Sequence, residues 1–427
     1  MLFWIVIHFD NLDPKKLTLE SMGGLFKIEG FEDKRQYAVW TDETKEVVLR
    51  HGFDKLHFTL SEQPSTQEIR FKGELMLSDQ LASLWCAAPS AFSLVSEKTP
   101  FTKPADTLLV LSLSAGGVAG VGTGTVLTQL ERLLHQPLYN VFDVIVGTSS
   151  GALLGLGASA ATPGKDTSPY HSLVSQATEN LVKISPIFDK KMIGYLTGPI
   201  GNNALYEKLV QQMALGLKMS DAKCVAGALS LNLLKSEAVL FNSRDHPDMP
   251  AWEAIRCSSA LVPLFEPCVM SDGIYIDGGF VAENPTVFAY EFAKSLDIAK
   301  GKNKKIKILH VNATSTIFTK DELKDFHLWG GLKWLDFVGR GTGSFNMVAT
   351  RKLEEMLVKT DPNLEIMDVR IHIGDGPNET IDNSPKNYGQ CAQAGMNGFL
   401  YDVTDPSKPV ASEMVSNVFT FLTTNTN

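Results

Sequence analysis

Ser149 stands at the centre of Gly147-Thr148-Ser149-Ser150-Gly151, between the apolar run Val144-Ile145-Val146 and the small and leucine residues Ala152-Leu153-Leu154. A strand passing into a helix needs only one turn signal, so a serine set between two glycines at such a corner asks for more than connectivity. The glycines admit a strained backbone and a close approach of strand and helix, which lifts the hydroxyl off the end of a sheet. The amides that follow then lie at the positive N-terminus of the helix. A hydroxyl placed in this way can attack an ester or amide carbonyl if a base takes its proton and donors hold the charge formed on the carbonyl oxygen. The same pentapeptide also suits a plain packing turn, so the donors and the base decide between the two.

For donors, the stretch Ser112-Leu113-Ser114-Ala115-Gly116-Gly117-Val118-Ala119-Gly120 is a second strand-to-turn passage. Gly116 and Gly117 carry no side chain that would block an anion from their amides. A phosphate-binding P-loop would need Gly-Lys-Ser/Thr, which is missing. A dinucleotide fingerprint framed from Gly120 puts Thr125 at its last glycine, and framed from Gly122 it puts Leu127 there. For the base, His310, His327 and His372 follow the serine in the order an α/β-hydrolase requires, but none sits in a recognisable loop. Asp277 ends the strand-like Gly-Ile-Tyr-Ile-Asp ahead of Gly278, Gly279 and an Asn-Pro turn. A carboxylate there is placed to accept the serine proton directly, or merely to cap the turn.

Four segments in this order resemble the patatin-like phospholipase family. Residues 111–120 resemble its Asp-Gly-Gly-Gly-x-x-Gly oxyanion loop, and residues 146–155 its Gly-Thr-Ser-x-Gly elbow. Residues 254–267 resemble its Ala-Ser-x-Ala-x-Pro-x-x-Phe-x-Pro stretch, and residues 276–285 its Asp-Gly-Gly-x-x-x-Asn-x-Pro motif. The resemblance implies Ser149 as nucleophile and Asp277 as its only base, a dyad without histidine. It implies Gly116 and Gly117 as oxyanion amides with Ser150 adding its own, and Gly120, Gly147, Gly151, Gly278 and Gly279 as the supporting glycines. Ser114-Ala115 replaces the family's leading Asp-Gly, and Ala119 replaces a basic residue often found before the last glycine. Related acyl-carrier transacylases usually carry histidine where Thr148 stands, which favours water or a lipid as acceptor. The segment from Arg256 to Pro267 holds Cys257, Ser258, Ser259 and Glu266, which the resemblance makes a packed wall beside the site.

The elements that must position these residues divide the chain into four parts. Residues 1–98 mix aromatic and β-branched residues with charges in short runs, as in a small β-rich or α+β domain, and residues 99–106 read as a linker. Residues 107–316 alternate strand, turn and helix, which implies an α/β domain with a mostly parallel sheet flanked by helices. The resemblance makes this a patatin-like three-layer fold. Residues 317–427 read as a mainly helical extension packed on that domain, with one strand-like run at 365–374.

At 427 residues with 44% hydrophobic and 20% charged side chains, the chain is globular in composition. A net charge of -9 argues against a nucleic-acid partner, and leaves Lys302, Lys304, Lys305 and Lys307 as a local basic cluster. Five scattered cysteines without Cys-x-x-Cys spacing argue against a zinc site or a disulfide framework. No calcium loop is visible, so neither metal nor cofactor is expected. The N-terminal run meets His8 and Asp10 too early for a signal peptide, so the expected location is the cytoplasm, with signal-less export left open. The expected activity is that of a lipid acyl hydrolase of phospholipase A type, acting on phospholipid or another acyl lipid with a transient membrane contact. The alternatives are an acyltransferase with the same dyad or an inactive binding protein. Residues 327–338, with Trp329, Trp334, Leu335 and Phe337, suit either a membrane-facing lid or a helix packed on the core.

Overall fold

The computed structural model describes most of residues 101–161, 203–299, 304–316, 331–375 and 413–424, seven short strands within residues 1–98, and scattered residues elsewhere. The N-terminal strands are β1 (Ile5–Ile7), β2 (Leu17–Ser21), β3 (Ile28–Glu29), β4 (Glu46–His51), β5 (Asp54–Thr59), β6 (Thr66–Ile69) and β7 (Ala82–Cys86). They pair antiparallel in a three-stranded sheet, β1-β7-β6, and a four-stranded sheet, β3-β2-β4-β5. The strand-like run at 36–40 lies outside the described residues.

From residue 107 the elements are β8 (Thr107–Leu113), α1 (Gly120–Leu134), α2 (Leu138–Val141), β9 (Val144–Thr148), α3 (Ser150–Ser159), α4 (Asn203–Met213), β10 (Val225–Asn232) and β11 (Glu237–Asn242). There follow α5 (Ala251–Ser258), β12 (Cys268–Met270), β13 (Gly273–Asp277), α6 (Thr286–Ala299), β14 (Lys305–Thr316), α7 (Gly331–Thr360), β15 (Leu364–Asp375), β16 (Tyr401–Asp402), β17 (Val410–Ala411) and α8 (Glu413–Thr423). Eight strands form one sheet in the order β12-β13-β10-β9-β8-β14-β15, with β11 also on β10. β10, β9, β8, β14 and β15 run parallel, and β11 and β13 join β10 antiparallel.

Alternation along β8 explains the layers. Leu109, Leu111 and Leu113 pack with residues of α1 and α3, whereas Leu108 and Val110 pack with Ala289 and Ala293 of α6 on the other face. A parallel strand covered on both faces is apolar throughout, which is why residues 107–113 show no polar alternation. Every residue of α3 is buried, in keeping with a helix that is apolar or small all round.

Three stretches acquire a defined place in the structure. The sheet continues past residue 316: the strand-like run of the C-terminal part is β15, which pairs parallel to β14 and buries Val369 and Ile371 in the core. The second half of the linker is pinned rather than free, since Phe101 is buried in the core and Lys103 Nζ lies 2.6 Å from Asp143. The basic cluster is occupied internally. The buried Lys307 donates to the carbonyls of Phe421 and Thr424 at 2.9 and 2.8 Å, Lys304 donates to that of Ala105, and Lys305 faces Glu365. Lys302 lies outside the described residues. Among the described residues no helix is long and apolar enough to cross a membrane.

Candidate active site

Strand register brings the two ends of the site together. Leu229 of β10 pairs with Leu240 of β11 on one edge and Thr148 of β9 on the other; Ser230 pairs with Val239 and with Asp277 of β13. A strand has only two edges, so β9 and β13 share one edge of β10 and run towards each other, ending at adjacent positions. The residue after Thr148 therefore meets Asp277, although 128 positions separate them: Ser149 Oγ donates to Asp277 Oδ2 at 2.7 Å.

At the tip of β9, Ser149 adopts φ 56 and ψ −121, a left-handed conformation costly for a residue with a Cβ. Thr148 and Ser150 on either side are buried, while Ser149 keeps part of its surface open. The glycines are explained by close approach. A Cβ on Gly147 would stand 2.1 Å from the carbonyl oxygen of Gly151, and one on Gly151 would stand 2.4 Å from that of Leu113. On the other side of the encounter, a Cβ on Gly278 would stand 2.2 Å from the carbonyl oxygen of Leu229. Because these neighbours are backbone, Gly147→Ala is expected to cost about 2 kcal/mol or more of stability, seen as a lowered Tm. A Tm equal to the wild type's would show that strand and helix are not packed this closely.

Asp277 is buried, and its Oδ1 accepts the Gly279 amide at 2.7 Å while Oδ2 faces the serine. Burial pushes its carboxyl up to about 6, against the opposing pull of the two hydrogen bonds. Glu283 is pushed up to about 7 by burial and by the charge of Asp277. The sequence reading did not single out Glu283; its one signal was its place in the turn between Asp277 and Asn284.

The glycine loop starts against the first turn of α3, since the carbonyl oxygens of Leu113 and Ser114 crowd Gly151. Ala115 N–H donates to the Glu283 carbonyl at 2.8 Å, tying this loop to the Asp277 segment. Gly117 takes φ 53, a conformation natural to glycine. Gly120 makes room for Ser150, whose buried hydroxyl has no partner among the described residues; a Cβ there would stand 2.9 Å from that hydroxyl.

The wall segment packs as the resemblance implied, with one addition. Cys257 touches Cys268, Ser259 bonds the Tyr206 hydroxyl, and the Glu266 carbonyl accepts from Arg256. Ser258 goes further, because its Oγ accepts the Ser149 amide at 2.9 Å and donates to the Leu229 carbonyl, anchoring the elbow to β10.

Of the three histidines, His310 is buried on β14 with Nε2 2.7 Å from Ser114 Oγ and Nδ1 2.9 Å from Asp368, so its bonds run away from Ser149. His372 lies in β15, and His327 is outside the described residues. His310, Glu354 and Asp368 bring one nitrogen and two oxygens within 4.8 Å of one another. Glu354 already accepts from Asn284 at 2.8 Å and Asp368 from Arg370 at 2.6 Å, so the group is a hydrogen-bond network in its own right. Residues 327–330 of the lid candidate lie outside the described residues, and residues 331–338 belong to α7.

Residues 111–290 match the family described as patatin-like phospholipase. A cGAMP-activated phospholipase of Pseudomonas aeruginosa is 27% identical over 215 residues, 49% of this chain and 62% of the relative. A cUMP-AMP-activated phospholipase of Escherichia coli is 25% identical over 270 residues, 61% of this chain and 80% of the relative. The human calcium-independent phospholipase A2-gamma is 24% identical over 212 residues, 44% of this chain and 26% of the relative.

Proposed function

We propose, for a chain whose residues 111–290 form a patatin-like phospholipase domain, that it cleaves fatty-acyl esters of phospholipids through Ser149 and Asp277. The observation that carries this reading is the 2.7 Å hydrogen bond from a strained, partly open serine to a buried carboxylate. Ser149 Oγ attacks the ester carbonyl carbon as Asp277 Oδ2 takes its proton. The charge on the carbonyl oxygen falls to the amides of Gly116, Gly117 and Ser150. When the ester C–O bond breaks, Asp277 returns the proton to the leaving alcohol. Water, deprotonated by the same carboxylate, then attacks the acyl-enzyme and releases the fatty acid. Attack on either acyl ester of a glycerophospholipid makes the activity that of a phospholipase A.

A base works best when its pKa lies near the working pH, and a carboxyl held at about 6 meets that condition better than an ordinary aspartate. Below about pH 6 Asp277 carries a proton and cannot take another. The ratio kcat/KM is therefore expected to rise with pH through a limb centred about 6. A limb near the ordinary aspartate value in a pH-rate profile would contradict this environment.

The deciding experiment incubates the full chain with phospholipid vesicles and separates the products. Free fatty acid and lysophospholipid in equal amounts support hydrolysis. A dominant transacylated product on adding lysolipid or glycerol would make the protein an acyltransferase, and no product under any condition would leave the inert binding reading. Two relatives are named for activation by cyclic dinucleotides, so the assay is run with and without cGAMP and cUMP-AMP.

A further inference from the structure

The buried His310 joins the two loops of the site from behind. Its Nδ1 is 2.9 Å from Asp368 Oδ1, and Asp368 is held well below the usual carboxylate range by His310 and Arg370 despite its burial. An ionised acceptor there places a proton on Nδ1, and Nε2 bonds the Ser114 hydroxyl at 2.7 Å. Ser114 is the residue that leads from β8 into the glycine loop. Asn284 packs beside the same nitrogen, its Nδ2 3.5 Å from Nδ1. Asn284 also donates to Glu354 of α7 at 2.8 Å and accepts from the Thr286 amide that starts α6. Asn284 directly follows Glu283, whose carbonyl receives the Ala115 amide.

The chain Asp368–His310–Ser114 has the connectivity of a serine-histidine-aspartate relay, but Ser114 is only 2% exposed and no ester carbonyl reaches it. Its hydroxyl is therefore directed inward as an anchor. We propose that His310 is a positioning residue for the oxyanion loop, setting Gly116 and Gly117 against α3 through Ser114. The proposal rests on Ser149 being the nucleophile.

The test compares Ser114→Ala, His310→Ala, their double variant and His310→Gln in the full chain, with a soluble chromogenic acyl ester as substrate and Ser149→Ala alongside. Misplaced oxyanion donors lower turnover without loosening substrate, so each alanine variant is expected to lose about tenfold to a hundredfold in kcat with KM little changed. The double variant should lose no more than the worse single one, because both remove the same link. His310→Gln, which can still bond the Ser114 hydroxyl, should recover most of the loss. If His310→Ala does not fold, Ser114→Ala and His310→Gln decide. Wild-type kcat in a folded Ser114→Ala, additive losses in the double variant, or a rise in KM with kcat unchanged would each overturn the proposal. Ser149→Ala keeps the two readings apart: turnover retained there removes the nucleophile assignment itself, whereas turnover lost there and kept in Ser114→Ala removes only the positioning role.

Discussion

Ser149→Ala is expected to lower ester hydrolysis by about a thousandfold or more and to end labelling by a fluorophosphonate, while the protein still folds. The magnitude follows from the position of the hydroxyl, since Ser149 Oγ is the atom that bonds Asp277 at 2.7 Å and stands at the open tip of β9. Neighbouring hydroxyls cannot replace it. Ser150 and Ser114 are buried, and Ser258 is engaged with the Ser149 amide and the Leu229 carbonyl. Because alanine keeps the same backbone demand at φ 56, the substitution removes the chemistry without relieving the elbow. Mass spectrometry of the labelled wild type should place the adduct on Ser149. Turnover retained in the variant, or an adduct on another serine, would remove the nucleophile assignment.

Asp277→Asn should lower kcat by roughly a thousandfold and at the same time stabilise the fold at neutral pH. Asparagine can still accept the Gly279 amide and face Ser149, but it cannot take the proton. The gain in stability comes from the raised pKa. With the folded value at about 6 against an ordinary 3.8, the folded state holds a proton that the unfolded state has released between those values. Wild-type stability therefore falls relative to the variant as pH rises from about 4 to about 6, and the deficit stays constant above that. A shift of this size corresponds to about 2 to 3 kcal/mol, read as a Tm several degrees higher for the variant at pH 7 and nearly equal at pH 4. A variant less stable than wild type at pH 7 would mean that the carboxylate is held by more favourable contacts than its two hydrogen bonds. In the proposed reaction, activity and stability are opposed at this residue, because the burial that would make Asp277 a stronger base also strains the folded protein.

Much of the site was legible from local chemistry. Gly147, Ser149 and Gly151 mark a strand-helix corner by residue type alone, since only glycine tolerates carbonyl oxygens as close as those that the packing of β9 on α3 brings near. Asp277 was legible from its place at a strand end before two glycines. β10 and β11 were not recognised, although β10 is the strand on which both β9 and β13 are registered. Its small residues, Ala226, Gly227, Ala228 and Ser230, carry weak strand propensity and are small because the core packs closely there. The part of Ser258 was also hidden, since a serine in a packed helix looks the same whether or not it holds an amide from 109 positions away.

The residues alone therefore determined which groups could react, where the chain must turn sharply, and that the central strands are covered on both faces, because each of these depends on neighbours within a few positions. Tertiary structure decided which candidate meets the Ser149 hydroxyl and which faces Ser114. Asp277 reaches Ser149 only because two strands end at adjacent rungs of β10, and His310 turns to Ser114 and Asp368 because β14 lies between β8 and β15. Strand order and register are set by burial summed over the whole sheet, a quantity that no short stretch of sequence contains.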